Sequence, residues 1–352
     1  MKEASLYKKI AGQKVQCRAC FYHCIIKNNE KGKCGVRENK KGKLYSSVYG
    51  KVVSLNIDPI EKKPFFHFFP GSESLSFGTV GCNFSCKSCQ NWDTSQSPQI
   101  IGKIKGEELM PKKIVELALR YQCQSISYTY NEPTIFVEFA LETMKLARRK
   151  NIKNCWVSNG FMSEETLNLV SPYLDAINID LKSFSEKDYK EYCGGNLQPV
   201  LNNIILFKKK GVWVEITTLA IPGIVNEKTF IKIAKFIKKN VGEETPWHIL
   251  KFFPEVSWRL RHLYSTPLEI VKKGCEIGME VGLKYVYGGN VPGLASEDTY
   301  CPDCHKKMID RTGYLIERKD EKGKCSKCGE NLNIIQEENY VHKGKTVNVD
   351  VE

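Results

Sequence analysis

Eleven of the fifteen cysteines in this 352-residue chain fall into three tight groups, and each spacing points to a metal rather than to a disulfide. The middle group, Cys82, Cys86 and Cys89 in FGTVGCNFSCKSCQNW, has the pattern C-x3-C-x2-C. Three thiolates are one fewer than a closed four-iron cubane takes. One iron would stay open to coordinate a substrate, as a catalytic zinc keeps a position that a structural zinc fills. A four-cysteine site with its last ligand elsewhere would share the spacing, but a strand pattern directly before the group favours the open cluster. Cys301, Cys304, Cys325 and Cys328 form two C-x2-C knuckles. Four thiolates match tetrahedral zinc and leave no open position, so a structural or recognition role is expected, with a rubredoxin-like iron as the alternative. Cys17, Cys20, Cys24 and Cys34 follow C-x2-C-x3-C-x9-C. That spacing suits zinc, another second metal or an auxiliary iron-sulfur cluster without choosing among them, and His23 reads as a bystander. Of the single cysteines, Cys123, Cys155 and Cys275 lie in apolar patterns and read as buried small hydrophobes. Cys193, in YCGG, reads as a small loop residue, with a hydrogen-atom donor facing the pocket as the other reading.

The elements that must hold these groups divide into a cysteine-rich head (1–70), a strand-and-helix body (71–293) and a cysteine-rich tail (294–352). In the body, short β-branched or aromatic runs at 74–80, 125–130, 154–158, 175–181, 212–221, 247–253 and 283–288 alternate with helical patterns at 111–121, 134–150, 163–171, 197–210, 226–239 and 267–281. Such alternation predicts a parallel sheet, either doubly wound or closed toward a barrel. The middle cysteines follow the first body strand, where a barrel projects its functional loops. Between the tail knuckles, DRTGYLIERKDEKGK reads as a hairpin, and the basic segment 27–43 reads as loop.

The middle motif resembles that of the radical S-adenosylmethionine (SAM) superfamily. The resemblance implies a partial (β/α) barrel and a [4Fe-4S] cluster on Cys82, Cys86 and Cys89. The SAM methionyl group would chelate the open iron, and reductive cleavage would give a 5′-deoxyadenosyl radical that abstracts hydrogen from the substrate. It also implies SAM contacts at successive strand ends: Asn131 and Glu132 in YTYNEP, Ser158 and Asn159 in VSNG, and Asp180 and Lys182 in IDLK. Carboxylate, amide and ammonium groups of these types pair well with SAM's polar parts. Two positions depart from the pattern. Ser88 stands where many members have an aromatic residue near the adenine, with Phe84 and Trp92 close by in sequence. Val157 replaces the acidic residue that opens the ribose loop in activating enzymes. His248 reads as a satisfied strand histidine, and Tyr287 and Asn290 as pocket-lining residues. The whole order of motifs, from head to zinc-knuckle tail, resembles the AmmeMemoRadiSam-system radical SAM enzymes, related to pyruvate formate-lyase activating enzyme. That implies association with Memo-like and AMMECR-type proteins and names no substrate.

The formal charge of +13 suits an acidic partner, such as a reduced flavodoxin or ferredoxin donating electrons. The start MKEASLYKKIAGQK lacks the apolar stretch of a secretory signal, and no window has the length of a spanning helix, so a cytoplasmic protein without membrane contact is expected. Two further functions compete. A glycyl-radical activating enzyme is one, although its extra cysteines usually follow the radical motif, where this chain has only Cys123 before Glu132. The other is an RNA-modifying enzyme, or a zinc-binding nucleic-acid adaptor without enzymatic activity.

Overall fold

The computed structural model describes residues 1–291 and 293–337. Residue 292 and residues 338–352, the end of the expected tail segment, lie outside the described residues. Eight strands make one sheet: β1 (Ser54–Pro59), β2 (Glu73–Gly78), β3 (Ser125–Tyr128), β4 (Lys153–Ser158), β5 (Ala176–Asp180), β6 (Trp213–Ala220), β7 (Trp247–Lys251) and β8 (Val286–Gly289). They lie in sequence order, parallel from β2 to β8, with β1 antiparallel on β2. The two ends of the sheet do not pair, so this is the open, partial barrel that the resemblance implies. The parallel strands are the seven of the alternating pattern. The segment carrying β1 was read within the head, yet it forms the eighth strand.

Helices cover one face of the sheet: α1 (Pro111–Arg120), α2 (Val137–Arg148), α3 (Glu164–Val170), α4 (Leu197–Lys209), α5 (Glu227–Asn240) and α6 (Leu268–Val281). Their apolar positions follow the helical period. In α5 the buried residues are Phe230, Ile233, Ala234 and Ile237, and the Asn226 side chain caps the start by accepting the Thr229 N–H. Leu75, Phe77, Ile126, Tyr128, Trp156, Ile177, Ile216 and Ile249 join these helices in one core. The alternate strand residues face the other way, and they are strongly polar: Ser74, Ser76, Ser127, Asn178, Glu215 and His248 are all buried.

What fills this inner side is the aromatic segment 60–71. Phe65, Phe68 and Phe69 pack on Cys155 and Ala176. The buried Glu215 carboxylate fixes the segment by accepting the Phe66 and His67 N–H groups (both 3.0 Å), Trp213 Nε1 (3.0 Å) and His248 Nε2 (2.7 Å). Four donors satisfy the charge that burial would otherwise make costly. His248 is thus a satisfied strand histidine. Tyr287 does not line an open pocket: its hydroxyl meets His67 Nε2 at 2.5 Å and Thr299 at 2.9 Å. Asn290 is exposed and donates to the Lys251 carbonyl.

The tail forms the expected hairpin, β9 (Lys307–Thr312) and β10 (Leu315–Arg318), and docks on the aromatic plug. Buried Arg311 donates to the carbonyls of Phe66 and Glu297 and to Thr299. The head carries short strands, including Arg37–Lys40 and Lys43–Ser46, so part of the 27–43 segment is hairpin rather than loop. Arg37 and Glu138 of α2 form a buried ion pair at 2.6 Å that seats the head on the barrel. Among the described residues no helix is long and apolar enough to cross a membrane.

Candidate active site

The cysteine loop leaves the carboxyl end of β2 and is gripped on several sides. Gly81 is left-handed (φ 95°), and a Cβ there would meet Val36 at 2.6 Å and the Cys34 carbonyl at 2.8 Å, so the head presses directly on the loop. Ser85 and Lys87 donate their N–H groups to the carbonyls of Cys193 and Tyr192, and the Lys87 carbonyl accepts Arg259 N–H at 2.8 Å. Gln96 Nε2 holds the Phe84 carbonyl at 2.9 Å. Phe84 is buried against Phe161, and Trp92 lies in the wall of a cavity of about 710 Å³ with Val80, Leu55 and Leu109. Ser88 is met by Tyr192, which donates its hydroxyl to it.

All fifteen cysteines are free thiols. Cys82, Cys86 and Cys89 interact electrostatically with one another. Burial pushes the Cys82 thiol up, aided by the Glu132 charge, and burial also raises Cys89. Cys86 is held below the ordinary thiol value by a hydrogen bond from Cys193, against burial, with Lys182 adding to the effect.

The six residues expected to touch SAM gather around this loop with two different surroundings. Glu132 is fully buried, and its carboxylate accepts from Thr134 N (3.0 Å), Thr134 Oγ1 (2.6 Å), Ser158 Oγ (2.9 Å) and Asn159 N (2.8 Å). Burial pushes its carboxyl above the ordinary range, opposed by those donors. Asn159 in turn donates its Nδ2 to Asn83 Oδ1 at 2.7 Å, beside Cys82. Glu132, Ser158 and Asn159 therefore tie two strand ends to the cysteine loop. Asn131 instead spends only its amide nitrogen, on the Gly81 carbonyl (2.8 Å) and Thr79, and its buried Oδ1 has no partner. Asp180 and Lys182 are half-buried and paired at 2.9 Å. Burial opposes the Lys182 charge, but Asp180 and the Cys86 and Cys193 thiols hold its pKa well above the ordinary value.

In the tail, Cys301–Cys328 and Cys304–Cys325 sulfurs are 3.5 and 3.6 Å apart, and all four lie within 4.8 Å of one another. A tetrahedron with metal–sulfur distances of about 2.3 Å has edges near 3.8 Å, so the tail cysteines match one ion. The head cysteines, Cys17, Cys20, Cys24 and Cys34, line one small cavity with Tyr22, Arg37, Asn83 and Thr134, on the back of the SAM-motif residues. Tyr22, Tyr192 and Cys193 are the contacts the sequence reading did not assign. YCGG beside the IDLK strand was the available signal.

The radical SAM superfamily description matches residues 77–237. An uncharacterized protein of Methanocaldococcus jannaschii is 43% identical over 339 residues, covering 95% of this chain and 100% of the relative. A protein of the same organism named a glycyl-radical enzyme activating enzyme is 29% identical over 170 residues, 47% of this chain and 63% of the relative. Among solved structures, Streptococcus suis SuiB bound to precursor peptide SuiA shares the fold, with a TM-score of 0.50 and 13% identity over 66% of this chain and 51% of SuiB. The family implies a [4Fe-4S] cluster and SAM. The loop fits both: three free thiols lie close enough to interact electrostatically, and the unpartnered Asn131 Oδ1 and Asn83 Nδ2 flank them as open polar positions. With its sheet, its cysteine loop and its relatives, this chain belongs to the radical SAM superfamily and is an enzyme.

Proposed function

We propose that Cys82, Cys86 and Cys89 hold the cluster and that the chain performs SAM-dependent hydrogen abstraction. The observation that carries this reading is the three-thiol loop at the carboxyl end of β2, held by backbone bonds from three directions. The bound cluster and SAM together supply reductive cleavage of SAM and, through it, hydrogen abstraction from the substrate. Asn131 Oδ1 accepts a hydrogen bond from SAM's ammonium group, and the Asp180–Lys182 pair receives charged or hydroxyl groups of the same ligand. Glu132, Ser158 and Asn159 act by position, holding the loop rather than the ligand. The tail cysteines bind zinc as a structural ion, and the head cysteines bind a second metal. A reduced flavodoxin or ferredoxin, drawn by the basic surface, delivers the electron.

The finer placement among AmmeMemoRadiSam-system enzymes, with Memo-like and AMMECR-type partners, rests on the order of the motifs. A glycyl-radical activating function is the second reading, favoured by the relative that carries that name. Anaerobic reconstitution followed by iron, sulfide and zinc analysis, with 5′-deoxyadenosine measured after adding SAM and dithionite, tests the core of the proposal. About four irons beyond the zinc are expected, with SAM cleavage lost when the three loop cysteines become alanine. Cleavage that survives in that triple variant would overturn the assignment.

A further inference from the structure

The segment that leaves β3 toward the SAM motif makes an uncommon turn. Asn131 N–H donates to the Thr129 carbonyl at 2.9 Å, two residues back, and the residue between them, Tyr130, has a φ of 69°. A hydrogen bond of that span around a positive central φ is the γ-turn that proteins seldom use because it is strained, and a bulky aromatic residue at its centre adds to the strain. The turn presses on the end of β2. A Cβ on Gly78 would lie 2.5 Å from the Thr129 carbonyl oxygen and 3.2 Å from both Tyr130 Cβ and Asn131 Oδ1. The turn is also tied to the cysteine loop twice: the Tyr130 carbonyl accepts Asn91 Nδ2 at 2.7 Å, and Asn131 Nδ2 donates to the Gly81 carbonyl at 2.8 Å. The Tyr130 side chain reaches the other way, to β1. Its hydroxyl donates to Asp58 Oδ2 at 2.7 Å and accepts from Asn56 Nδ2 at 2.9 Å. Asp58 is buried and pairs with buried Lys63 at 2.6 Å, and the Lys63 ammonium lies 4.5 Å over the Tyr130 ring. A strained residue persists only where its surroundings over-determine it, and such residues gather at ligand sites.

Resting on the reading that Asn131 Oδ1 accepts from SAM's ammonium group, we propose that Tyr130 is a positioning residue: its phenol, anchored on the buried Asp58–Lys63 pair, holds the strained turn that aims the unpartnered Asn131 Oδ1 at the ligand. Without the anchor the turn relaxes toward a negative φ, which swings the next residue and takes its oxygen out of the site for part of the time. Affinity then falls in proportion to the chains still in the competent turn. Tyr130→Phe keeps the ring under Lys63 and loses only the phenol bonds. A glycine at this position takes a positive φ freely, whereas an alanine keeps the steric penalty and has no anchor. SAM affinity should therefore be highest in the natural chain and lower in Tyr130→Phe, with Tyr130→Gly above Tyr130→Ala. A side chain that only filled space would reverse the last two, because glycine fills least.

The test is equilibrium binding of SAM to the reconstituted full chain, at matched iron content, in the three Tyr130 variants, in Asn131→Ala and in the double variant of Tyr130→Ala with Asn131→Ala. Tyr130→Ala should weaken binding roughly tenfold and Tyr130→Phe by less, with Tyr130→Gly tighter than Tyr130→Ala. On top of Asn131→Ala, the Tyr130→Ala change should cost no further affinity, since its effect runs through that oxygen. Unchanged affinity in Tyr130→Ala, glycine binding no tighter than alanine, or losses that add in the double variant would each overturn the proposal. Should the alanine and glycine variants fail to fold, Tyr130→Phe decides: affinity equal to the natural chain overturns it, and weaker binding at matched iron supports it. Should Asn131→Ala alone bind SAM as tightly as the natural chain, the reading of Asn131 fails and takes this inference with it. A loss in Asn131→Ala without one in the Tyr130 variants sinks this inference alone.

Discussion

A carboxylate that already accepts from four donors has no lone pair left for a ligand, and this separates Glu132 from its neighbour Asn131. Glu132→Gln puts an amide N–H₂ against donors. At least one of Thr134 N–H and Asn159 N–H then loses its acceptor inside the protein, at a cost of about 1–3 kcal/mol. A clear fall in melting temperature should follow, with reduced SAM cleavage, because the 158–159 loop and the turn that leads into α2 both hang on this group. A melt equal to the natural one would refute the positioning role. Asn131→Ala is expected to behave in the opposite way. It removes the oxygen without a partner and two bonds that leave only acceptors behind, on Thr79 and Gly81, so the melt should move less than in Glu132→Gln. SAM binding should weaken by roughly tenfold or more, the order expected for a hydrogen bond to a charged group. Equilibrium binding to the reconstituted chain measures it, and an unchanged affinity would remove Asn131 from the ligand's shell.

Among elements, the alternating body was readable because its signals are local. Period-2 runs such as SISY and period-3.6 helices such as α5 state their own type, and the parallel order follows from the alternation. β1 was not readable as part of the barrel. SLNIDP sits between cysteine-rich and aromatic segments, and only its long-range register against β2 assigns it to the sheet. The cysteine loop could be located from spacing alone, but its supports could not, since the π turn of Tyr189–Cys193, Tyr22 and residues 257–259 reach it across long stretches of chain. Gly195→Ala probes one of these supports. The new methyl would sit 2.3 Å from the Phe84 ring, so the ring or the π turn must move, an overpacking cost of about 1–3 kcal/mol. The barrel has its own extensive core and should remain folded by circular dichroism. Iron retained after reconstitution should fall. Full iron content in a folded variant would show that the turn does not position the loop.

Over the whole molecule, the aromatic plug couples barrel, tail and pH. Its His67 is held neutral: Nε2 accepts from the Tyr287 hydroxyl (2.5 Å) while Nδ1 donates to the Leu332 carbonyl (3.1 Å), joining β8 to the residues after the second tail knuckle. If the tail cysteines hold an ion as proposed, removing it should loosen this junction, so a chelator that strips it should lower the melting temperature of the barrel and not only of the tail. Separate melts, with the barrel unmoved, would argue against the coupling. Burial depresses the His67 pKa from 6.5 to about 4. Between those values the unfolded chain binds a proton that the folded chain refuses, so the contribution of His67 is complete above pH 6.5 and is lost as pH falls through 4, by up to about 3 kcal/mol. Glu61, at the start of the same segment, runs the other way. Burial pushes its carboxyl from 4.5 to about 7, so its contribution is complete below pH 4.5 and is lost as pH rises through 7. The two slopes oppose each other across the mildly acidic range. His67→Gln keeps a donor for Leu332 and an acceptor for Tyr287 but cannot titrate, leaving Glu61 unopposed. The variant should therefore lose less stability than the natural chain between pH 6.5 and 4.5, moving the stability optimum toward acid. Melting curves that stay parallel across this range would mean that His67 keeps its proton in the plug, and that the Tyr287 hydroxyl is not its donor.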